Sequence, residues 1–416
     1  MTPRVQVICG QPLPIGGVPT TGAGLRAWSF GEGLKAQGCD VVYSLPRDVV
    51  AHIPEPSDAI REAAFDYHSL DQAIERVNPS VVVLQGWTWA NLLTDRPDIP
   101  VAVDLTGPYL VESLFSQVED QRMMPFLKLQ ALQKADFVTC AGDVQRHYFL
   151  PWLLMAGHDI REDACPAIPM SLSPELPTPR KSDEPVFLYS GIFLPWQDPS
   201  CALERLIKKI DERQAGKLLI FAGPHPTYPF PAGSAPAIIE TLQAHHRVEF
   251  VGVVPYETLT ERSLDCSVSI DLMARNVERE LAFTTRTVVA LWCGLPVLYN
   301  DYSELSSYIS QYQAGWTVAP DDEAEIDLAL DCAFDKPDRV HAFGRHAQQL
   351  VRERLNWEKT VLPLAEFCHA PAKRVRGASF MDQTISPLDD RVCRLMIDMK
   401  HSSLYRGFKN LKNIVR

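Results

Sequence analysis

The sequence has no apolar run close to the ~20 residues that a membrane-spanning helix needs, so it predicts no transmembrane segment. Its N-terminal apolar stretch, Val5–Cys9, is short and lacks the charged flank of a signal peptide, which favours a buried strand. The ten cysteines are scattered without a Cys-x-x-Cys pair, so neither a zinc site nor a disulfide framework is expected. These absences favour a cytoplasmic protein with reduced thiols.

Basic residues are too few for a general nucleic-acid-binding protein. The 40 Lys/Arg are outnumbered by 52 Asp/Glu, and the net charge is −12, which argues against nucleic-acid partners. The charge is uneven, because residues 371–416 hold ten Lys/Arg and four Asp/Glu. This segment therefore carries +6 and the other 370 residues carry −18. The sequence predicts a tail whose surface differs from that of the body.

Short apolar runs alternate with helical patterns along most of the chain. The predicted strands are Val5–Cys9, Asp40–Tyr43, Ser80–Leu84, Val101–Val103 and Phe137–Cys140, then Val186–Tyr189, Leu218–Phe221, Val248–Val251, Val268–Leu272 and Pro296–Tyr299. Apolar runs without polar alternation indicate strands buried on both faces, and intervening helices make them parallel. Because 416 residues exceed the usual size of one core, we predict an α/β fold of two Rossmann-like, doubly wound domains facing a central cleft.

The proline-rich segment Ser171–Pro185 is typical of a stiff linker and separates the two halves. We therefore predict a first domain at residues 1–175 and a second at residues 176–352. His341–Phe367 has a helical pattern, and residues 353–370 are predicted to form a C-terminal helix that returns to the first domain. Residues 371–416 form the basic amphipathic tail.

A glycine-rich loop follows the first predicted strand. Gly16 and Gly17 precede Thr20–Gly24 and a predicted helix at Gly22–Ala36. Glycines at this point let backbone amides approach a ligand, and the helix N-terminus favours an anion. The loop has neither a Gly-x-Gly-x-x-Gly pattern nor a Walker lysine, which argues against dinucleotide and ATP sites. A turn that binds nothing stays open as the alternative.

A longer motif lies in the second half of the chain. It consists of Glu278–Thr287, Leu291–Val297 with the sequence Cys-Gly-Leu-Pro-Val at its end, Asn300–Glu304 and Gly315-Trp316. This arrangement resembles the nucleotide-sugar site of the family-4 retaining glycosyltransferases of GT-B fold, and weaker resemblance covers most of the chain. The resemblance implies a metal-independent, hexosyltransferase-type enzyme without a cofactor. It would transfer a sugar from a nucleotide-diphosphate donor to a glycan or lipid-linked acceptor, with retention, in polysaccharide biosynthesis.

The sequence departs from the family pattern at two places. The family usually has two glutamates eight positions apart, and counting back from Gly294 places Val289 in the later slot and Leu281 in the earlier one. Valine cannot accept a hydrogen bond from a ribose hydroxyl, so that contact is expected to be absent. Glu280 is predicted to take the earlier role after a shift of one residue. The Arg and Lys that often follow the first strand of the second domain are replaced by Gly191–Trp196.

Arg286 is the cation predicted to replace that pair. It lies beside threonines at the expected start of a helix, where a guanidinium and backbone amides can both bind a diphosphate. A salt bridge to Glu278 or Glu280 is the open alternative. The residues expected to contact the donor are Gly16, Gly17, Thr285, Thr287, Glu304 and Trp196. For Trp196, a place in the core or the cleft wall is the commoner outcome.

On the acceptor side, Asp104 leaves the strand that begins at Val101 and is expected to reach the cleft. Its carboxylate could orient or deprotonate an acceptor hydroxyl, although a structural or capping role fits the sequence equally well. Gln85-Gly86-Trp87 ends another strand and is expected to line the acceptor site. The predicted catalytic residues are thus Arg286, Glu280 and Asp104, with no metal ligand.

Two other functions stay open. A nucleotide-sugar epimerase of similar fold would need acid/base carboxylates and histidines in the cleft, and the sequence does not assign such a set. A degenerate, non-catalytic partner of another glycosyltransferase is motivated by Val289 and by the missing Arg and Lys after the first strand of the second domain.

The tail has apolar residues at helical spacing between Val392 and Val415, with Lys and Arg among them. Such a helix can lie on an anionic lipid surface or pack on the acidic body. The predicted location is therefore the cytoplasm, and peripheral association with the inner face of the membrane through the tail stays open beside packing on the body.

Overall fold

The structure is a computed structural model that describes residues 2–94, 97–115, 122–161, 163–180, 182, 184–223, 236–375 and 377–380. The predicted amphipathic helix of the tail lies outside the described residues.

The first domain is a five-stranded parallel sheet with the strand order β2-β1-β3-β4-β5. Its strands are β1 (Arg4–Ile8), β2 (Asp40–Ser44), β3 (Val81–Gln85), β4 (Val101–Leu105) and β5 (Phe137–Cys140). Its helices are α1 (Gly22–Ala36), α2 (Arg47–Val50), α3 (Asp58–Ala63), α4 (Leu70–Val77), α5 (Tyr109–Phe115), α6 (Met124–Lys134) and α7 (Asp143–Met155), with a 3₁₀ helix at Trp87–Leu92.

The second domain is a six-stranded parallel sheet with the strand order β11-β10-β9-β6-β7-β8. Its strands are β6 (Val186–Ser190), β7 (Lys217–Phe221), β8 (Val248–Phe250), β9 (Val268–Asp271), β10 (Val297–Asn300) and β11 (Gly315–Val318). Its helices are α8 (Ser200–Arg213), α9 (Pro236–Ala244), α10 (Tyr256–Ser263), α11 (Val277–Leu281), α12 (Thr285–Trp292), α13 (Glu304–Tyr312), α14 (Glu323–Asp335) and α15 (Pro337–Arg354). Strand β11 was not among the predicted strands.

Both sheets are buried on both faces, as the uninterrupted apolar runs predicted. In β3, Val82 and Leu84 belong to one core, whereas Val81 and Val83 belong to the core on the other face. The strand order reverses between β1 and β3 in the first sheet, and between β6 and β9 in the second. These are the switch points where open α/β sheets bind their ligands, beyond the carboxyl ends of the strands.

The chain passes between the domains twice, and the two crossings lie side by side. Leu172 in the linker donates its amide to the carbonyl of Leu355 at 3.0 Å, and the Trp357 amide donates to the carbonyl of Leu172 at 3.0 Å. Nearby, the Ser171 hydroxyl bonds Ser29 at 2.9 Å and Thr360 at 2.7 Å. Both crossings are therefore anchored to α1 of the first domain.

The single helix predicted for His341–Phe367 is wrong in detail. The chain instead forms α15 and then two short helices, α16 (Trp357–Thr360) and α17 (Leu362–His369). Helix α15 ends because Asn356 is extended and caps α16 by accepting a hydrogen bond from the Lys359 amide at 3.2 Å. Residues of α17 such as Leu364 pack in the core of the first domain. The domain limits at 175, 352 and 370 stay predictions.

Candidate functional site

The first domain places its glycine loop directly before α1. Gly16 and Gly17 are exposed and have φ of 67° and 68°, which glycine adopts without strain. The Thr20 hydroxyl donates to the Pro12 carbonyl at 2.6 Å, and Thr21 caps α1 by accepting from the Gly24 amide at 3.2 Å. The loop therefore leads into a helix N-terminus at the carboxyl edge of the first sheet.

In the second domain, Arg286 lies at the switch point between β6 and β9. Its guanidinium donates to the buried Gln197 side chain and to the Tyr189 hydroxyl at 3.4 Å, and its Nε lies 3.9 Å from Asp271 Oδ1. A Cβ on Gly191, whose φ is 136°, would lie 2.5 Å from Arg286 Cζ. Glycine directly after β6 is thus what makes room for the cation.

The N-termini of α1 and α12 face each other across the cleft. A Cβ on Gly22 would lie 3.1 Å from the Thr285 hydroxyl, so the first turns of the two helices are in contact distance. The Thr284 side chain does not cap α12. Each helix N-terminus carries about half a positive charge, and two such ends beside Arg286 make the region strongly favourable for an anion.

Buried hydroxyl groups connect the start of α12 to β9 and β10 by hydrogen bonds. Thr284 bonds Thr287 at 2.9 Å and the Tyr299 hydroxyl at 2.8 Å, and Thr287 donates to Asp271 Oδ2. Asp271 is 1% exposed, and its Oδ1 accepts no hydrogen bond from the described residues. Thr287 is completely buried. Its hydroxyl therefore positions the first turn of α12, whereas Thr285 is the threonine that faces the opposite helix.

The two glutamates of α11 have different surroundings. Glu280 accepts from Arg275 Nε at 2.7 Å on the surface. Glu278 forms a buried, two-pronged ion pair with Arg279, at 2.5 and 2.8 Å. Burial alone would lower the pKa of Arg279, but the Glu278 charge outweighs it and holds that pKa above its usual range. Arg286 does not pair with either glutamate among the described ion pairs, so the salt bridge considered from the sequence is not formed.

Glu112 of the first domain faces this ion pair, and the sequence did not single it out. A Cβ on Gly107 would lie 2.8 Å from Glu112 Oε1, so the carboxyl group folds back over the carboxyl end of β4. Burial, together with the neighbouring charge of Glu278, raises the pKa of Glu112 to about 8, against the opposing effect of Arg279. The signal missed in the sequence was an acidic residue one turn into α5, after a glycine at a strand end.

Glu304 and Trp196 both make contacts within the protein, and their predicted contacts with the donor stay predictions. The Glu304 carboxylate reaches across the cleft and accepts a hydrogen bond from the Val144 amide at 2.9 Å, which caps the first turn of α7. Trp196 is 6% exposed, and its carbonyl accepts from Asn276 at 2.9 Å. Glu304 thus links the domains, and Trp196 belongs to the wall of the second domain, the commoner outcome noted from the sequence.

Asp104 is held in the interior of the first domain. It is 1% exposed and accepts from Arg26 Nε and Nη2, both at 2.7 Å, and from the Thr139 hydroxyl at 2.9 Å. Arg26 is also buried and donates to the Ile168 carbonyl at 2.8 Å. All these bonds hold a carboxylate away from solvent, so the geometry favours the structural role over that of an acceptor base.

Within the described ranges, no group of three His, Cys, Asp or Glu side chains is placed to hold a metal ion. No helix of the described part of the chain is long and apolar enough to cross a membrane.

Comparison with solved structures gives the class of the fold, which is the GT-B fold of two Rossmann-like domains facing a cleft. Sucrose-phosphate synthase from Thermosynechococcus elongatus is similar over 88% of this chain and 98% of its own, with a TM-score of 0.66 and 17% identity. WaaG, a glycosyltransferase involved in lipopolysaccharide biosynthesis, is similar over 88% and 99%, with a TM-score of 0.59 and 14% identity.

HepE from Anabaena, whose structure contains UDP and glucose, is similar over 88% of this chain and 100% of its own, with a TM-score of 0.61 and 12% identity. No protein-family model and no curated protein matches the sequence. The predicted α/β architecture with two Rossmann-like domains is therefore confirmed. At these identities the similarity establishes the fold, and the activity must be argued from the site.

Proposed function

We propose that the protein is a glycosyltransferase that moves a sugar from a nucleotide-diphosphate donor to a glycan or lipid-linked acceptor. One observation carries the proposal: the N-termini of α1 and α12 meet at Gly22 and Thr285, and Arg286 follows Thr285 in the first turn of α12. Facing helix ends repel each other unless an anion lies near them. A diphosphate of two adjoining anionic groups fits this position, with Gly16 and Gly17 closing over it from the first domain.

The proposed catalysis is electrostatic. As the bond from the anomeric carbon to the diphosphate breaks, negative charge grows on the leaving oxygen, where Arg286 and the amides of α12 stabilise it. The acceptor oxygen bonds to the anomeric carbon, and its proton goes to an oxygen of the departing diphosphate. This route retains the anomeric configuration and needs no base from the protein, which agrees with the pairing of Asp104 to Arg26. We propose that it needs neither a metal nor a cofactor.

The pentose of the donor is expected to be weakly discriminated. Val289 is buried in the apolar core behind α12 and offers no acceptor to a 2′-hydroxyl. Because this contact is absent, thymidine donors belong in the same screen as uridine and guanosine donors. The HepE structure contains UDP. A strong preference for a ribonucleotide over its 2′-deoxy analogue would contradict this part of the proposal.

The test of the diphosphate site compares Arg286→Ala with Arg262→Ala. Arg262 is a matched control because it is an arginine of the same domain that pairs on the surface with Glu249, which is not among the residues assigned to the donor. We expect Arg286→Ala to lower turnover by 10²-fold or more, the usual effect of losing a preorganised donor, and Arg262→Ala to change it by less than about threefold. Equal effects of the two substitutions, or a bound nucleotide whose diphosphate lies beyond reach of Arg286, would overturn the assignment.

The two alternative functions are separated by simple measurements. Labelled nucleotide sugar incubated without an acceptor would be epimerised by an epimerase but not by a transferase. A degenerate partner would bind no nucleoside diphosphate in a thermal-shift screen of UDP, GDP and dTDP. Glycosyl transfer to an added saccharide, at a rate that depends on Arg286, excludes both.

We also propose a peripheral location on the cytoplasmic face of an anionic membrane, through residues 381–416. The described start of the tail lies on the first domain: Lys373 pairs with Asp136 at 3.1 Å, and the Phe380 amide donates to the Met155 carbonyl at 3.0 Å. The basic segment thus leaves from the acceptor-side domain. Flotation with anionic vesicles should recover the full chain but not a chain ending at Phe380, and equal recovery of the two would rule residues 381–416 out as the anchor.

A further inference from the structure

The first turn of α7, in the first domain, is capped from the second domain. Its N-cap residue is Gly142, which has no side chain to accept a hydrogen bond from the turn. The Glu304 carboxylate takes that role by accepting from the Val144 amide at 2.9 Å. Gly142 has an extended backbone, with φ of −173°, that any residue can adopt, but a Cβ there would overlap the Glu304 carboxylate. Glycine at this position therefore makes room for a contact between the domains.

An apolar contact between the domains lies next to this cap. Leu25 and Ala141 of the first domain belong to the same buried cluster as Phe283 and Leu305 of the second domain. Ala141 comes two residues before α7, and Leu305 directly follows Glu304 in α13. The Glu304 carboxylate thus lies at the edge of a surface where the two domains bury apolar side chains against each other.

The charges of the helix ends act in opposite directions on closure of the cleft. The N-termini of α1 and α12, which meet at Gly22 and Thr285, both carry partial positive charge and repel each other unless an anion lies between them. The N-terminus of α7 carries the same partial charge, but it meets the carboxylate of Glu304. A carboxylate at an exposed helix N-terminus changes an equilibrium constant by about two- to fivefold. The Glu304 contact therefore favours the closed cleft without help from a ligand.

We propose that Glu304 is a positioning residue that holds the two domains together, and that it raises donor affinity through the closed form rather than by touching the donor. Two domains joined by linkers move relative to each other unless their interface is large and apolar. The diphosphate position between Gly22 and Thr285 needs both domains, so only the closed form completes it. The apparent donor affinity therefore falls in proportion to the closed fraction. This inference rests on the proposed function, because it places the diphosphate between these two helix N-termini.

The test removes the contact from either domain and measures UDP affinity by calorimetry. Glu304→Ala removes the carboxylate, whereas Gly142→Ala keeps Glu304 and displaces its carboxylate from the turn. Each should weaken UDP binding about two- to fivefold, while turnover at saturating donor stays within about twofold of the wild type. The double variant should bind UDP no more weakly than Glu304→Ala, because both substitutions remove the same contact. Glu323→Ala is the matched control and should leave UDP affinity unchanged, because Glu323 also begins a helix but pairs within its own domain, with Arg205 at 2.6 Å.

A second measurement follows closure without a nucleotide. In Glu304→Ala, hydrogen–deuterium exchange of the first turns of α1 and α12 should accelerate about two- to fivefold, although the hydrogen bond removed lies at α7. Acceleration confined to α7 would show that the cap is only local and would overturn the proposal. Weaker UDP binding in Glu304→Ala but not in Gly142→Ala would also overturn it, because Glu304 would then act on the donor directly. A wild-type protein that binds none of UDP, GDP and dTDP would contradict the proposed function, and the exchange experiment would still decide the role of Glu304.

Discussion

Replacing Asp104 distinguishes a structural from a catalytic carboxylate. Asp104→Asn keeps the shape of the side chain but removes the charge that neutralises Arg26, whose side chain is 3% exposed. The guanidinium would keep its bonds to the carbonyls of Ile168 at 2.8 Å and Cys140 at 3.4 Å but lose its only carboxylate partner among the described residues. Breaking a buried pair in this way costs about 3–5 kcal/mol.

The double substitution Arg26→Met, Asp104→Leu supplies the matched comparison. It removes both charges, and the replacement of a buried pair by apolar residues is often neutral or stabilising. The Thr139 hydroxyl would lose its acceptor, at a cost of about 1–3 kcal/mol. We therefore expect the double variant to recover more than half of the stability that Asp104→Asn loses.

The assay is urea unfolding followed by tryptophan fluorescence, combined with donor turnover per folded molecule. The structural role predicts a lower midpoint for Asp104→Asn at an unchanged turnover per folded molecule. A catalytic base would give the opposite result, with an unchanged midpoint and turnover lowered by 10²-fold or more. That result would refute the structural role and restore Asp104 to the catalytic set.

Three further predictions concern single sites. Glu112→Gln should be stabilising above pH 8, by about 2 kcal/mol after allowance for partial exposure, and neutral below pH 4.5. The sign follows because Glu112 keeps its proton in the native state up to a pKa of about 8, whereas the unfolded state loses it at the ordinary pKa of 4.5. A difference in urea midpoint that does not change with pH would contradict this prediction. Lys128 is caged by the rings of Tyr148, Phe149 and Trp152 at 4.5–4.9 Å, and burial lowers its pKa to about 7. The buried charge therefore destabilises the native state below pH 7, and this destabilisation fades as the pH rises towards 10.5. Lys128→Met should raise the free energy of unfolding by up to about 4 kcal/mol at pH 6 and by little at pH 10. An equal increase at both pH values would show that the lysine charge is not the cause. Gly191→Ala should displace Arg286 and weaken UDP binding at least tenfold, as measured by calorimetry. Gly252→Ala is the control, because it also replaces a glycine at positive φ but has open space around it, and it should leave UDP binding unchanged. Equal affinities of the two variants would show that Gly191 does not make room for the cation.

The candidate site was predicted in part from the sequence. Gly16, Gly17, Thr285 and Arg286 were selected because glycines and threonines before a helix favour anions, and the fold brings their helices together. The partners of Arg286 were not predicted. Tyr189 lies in β6 and Gln197 lies in the loop after it, about 90 residues before Arg286 in the chain, and no local pattern marks them.

The sequence by itself determined the class of fold and the approximate positions of ten of the eleven described strands. Strands buried on both faces need uninterrupted apolar residues, and this requirement is local enough to be visible in runs such as that of β3. Only the tertiary structure decided which charges pair. Asp104 meets Arg26 across 78 residues of sequence, and Glu304 caps α7 across 160. The physical reason is that a charged side chain takes its role from the groups around it in space, and in this protein those groups come from distant segments and from the opposite domain.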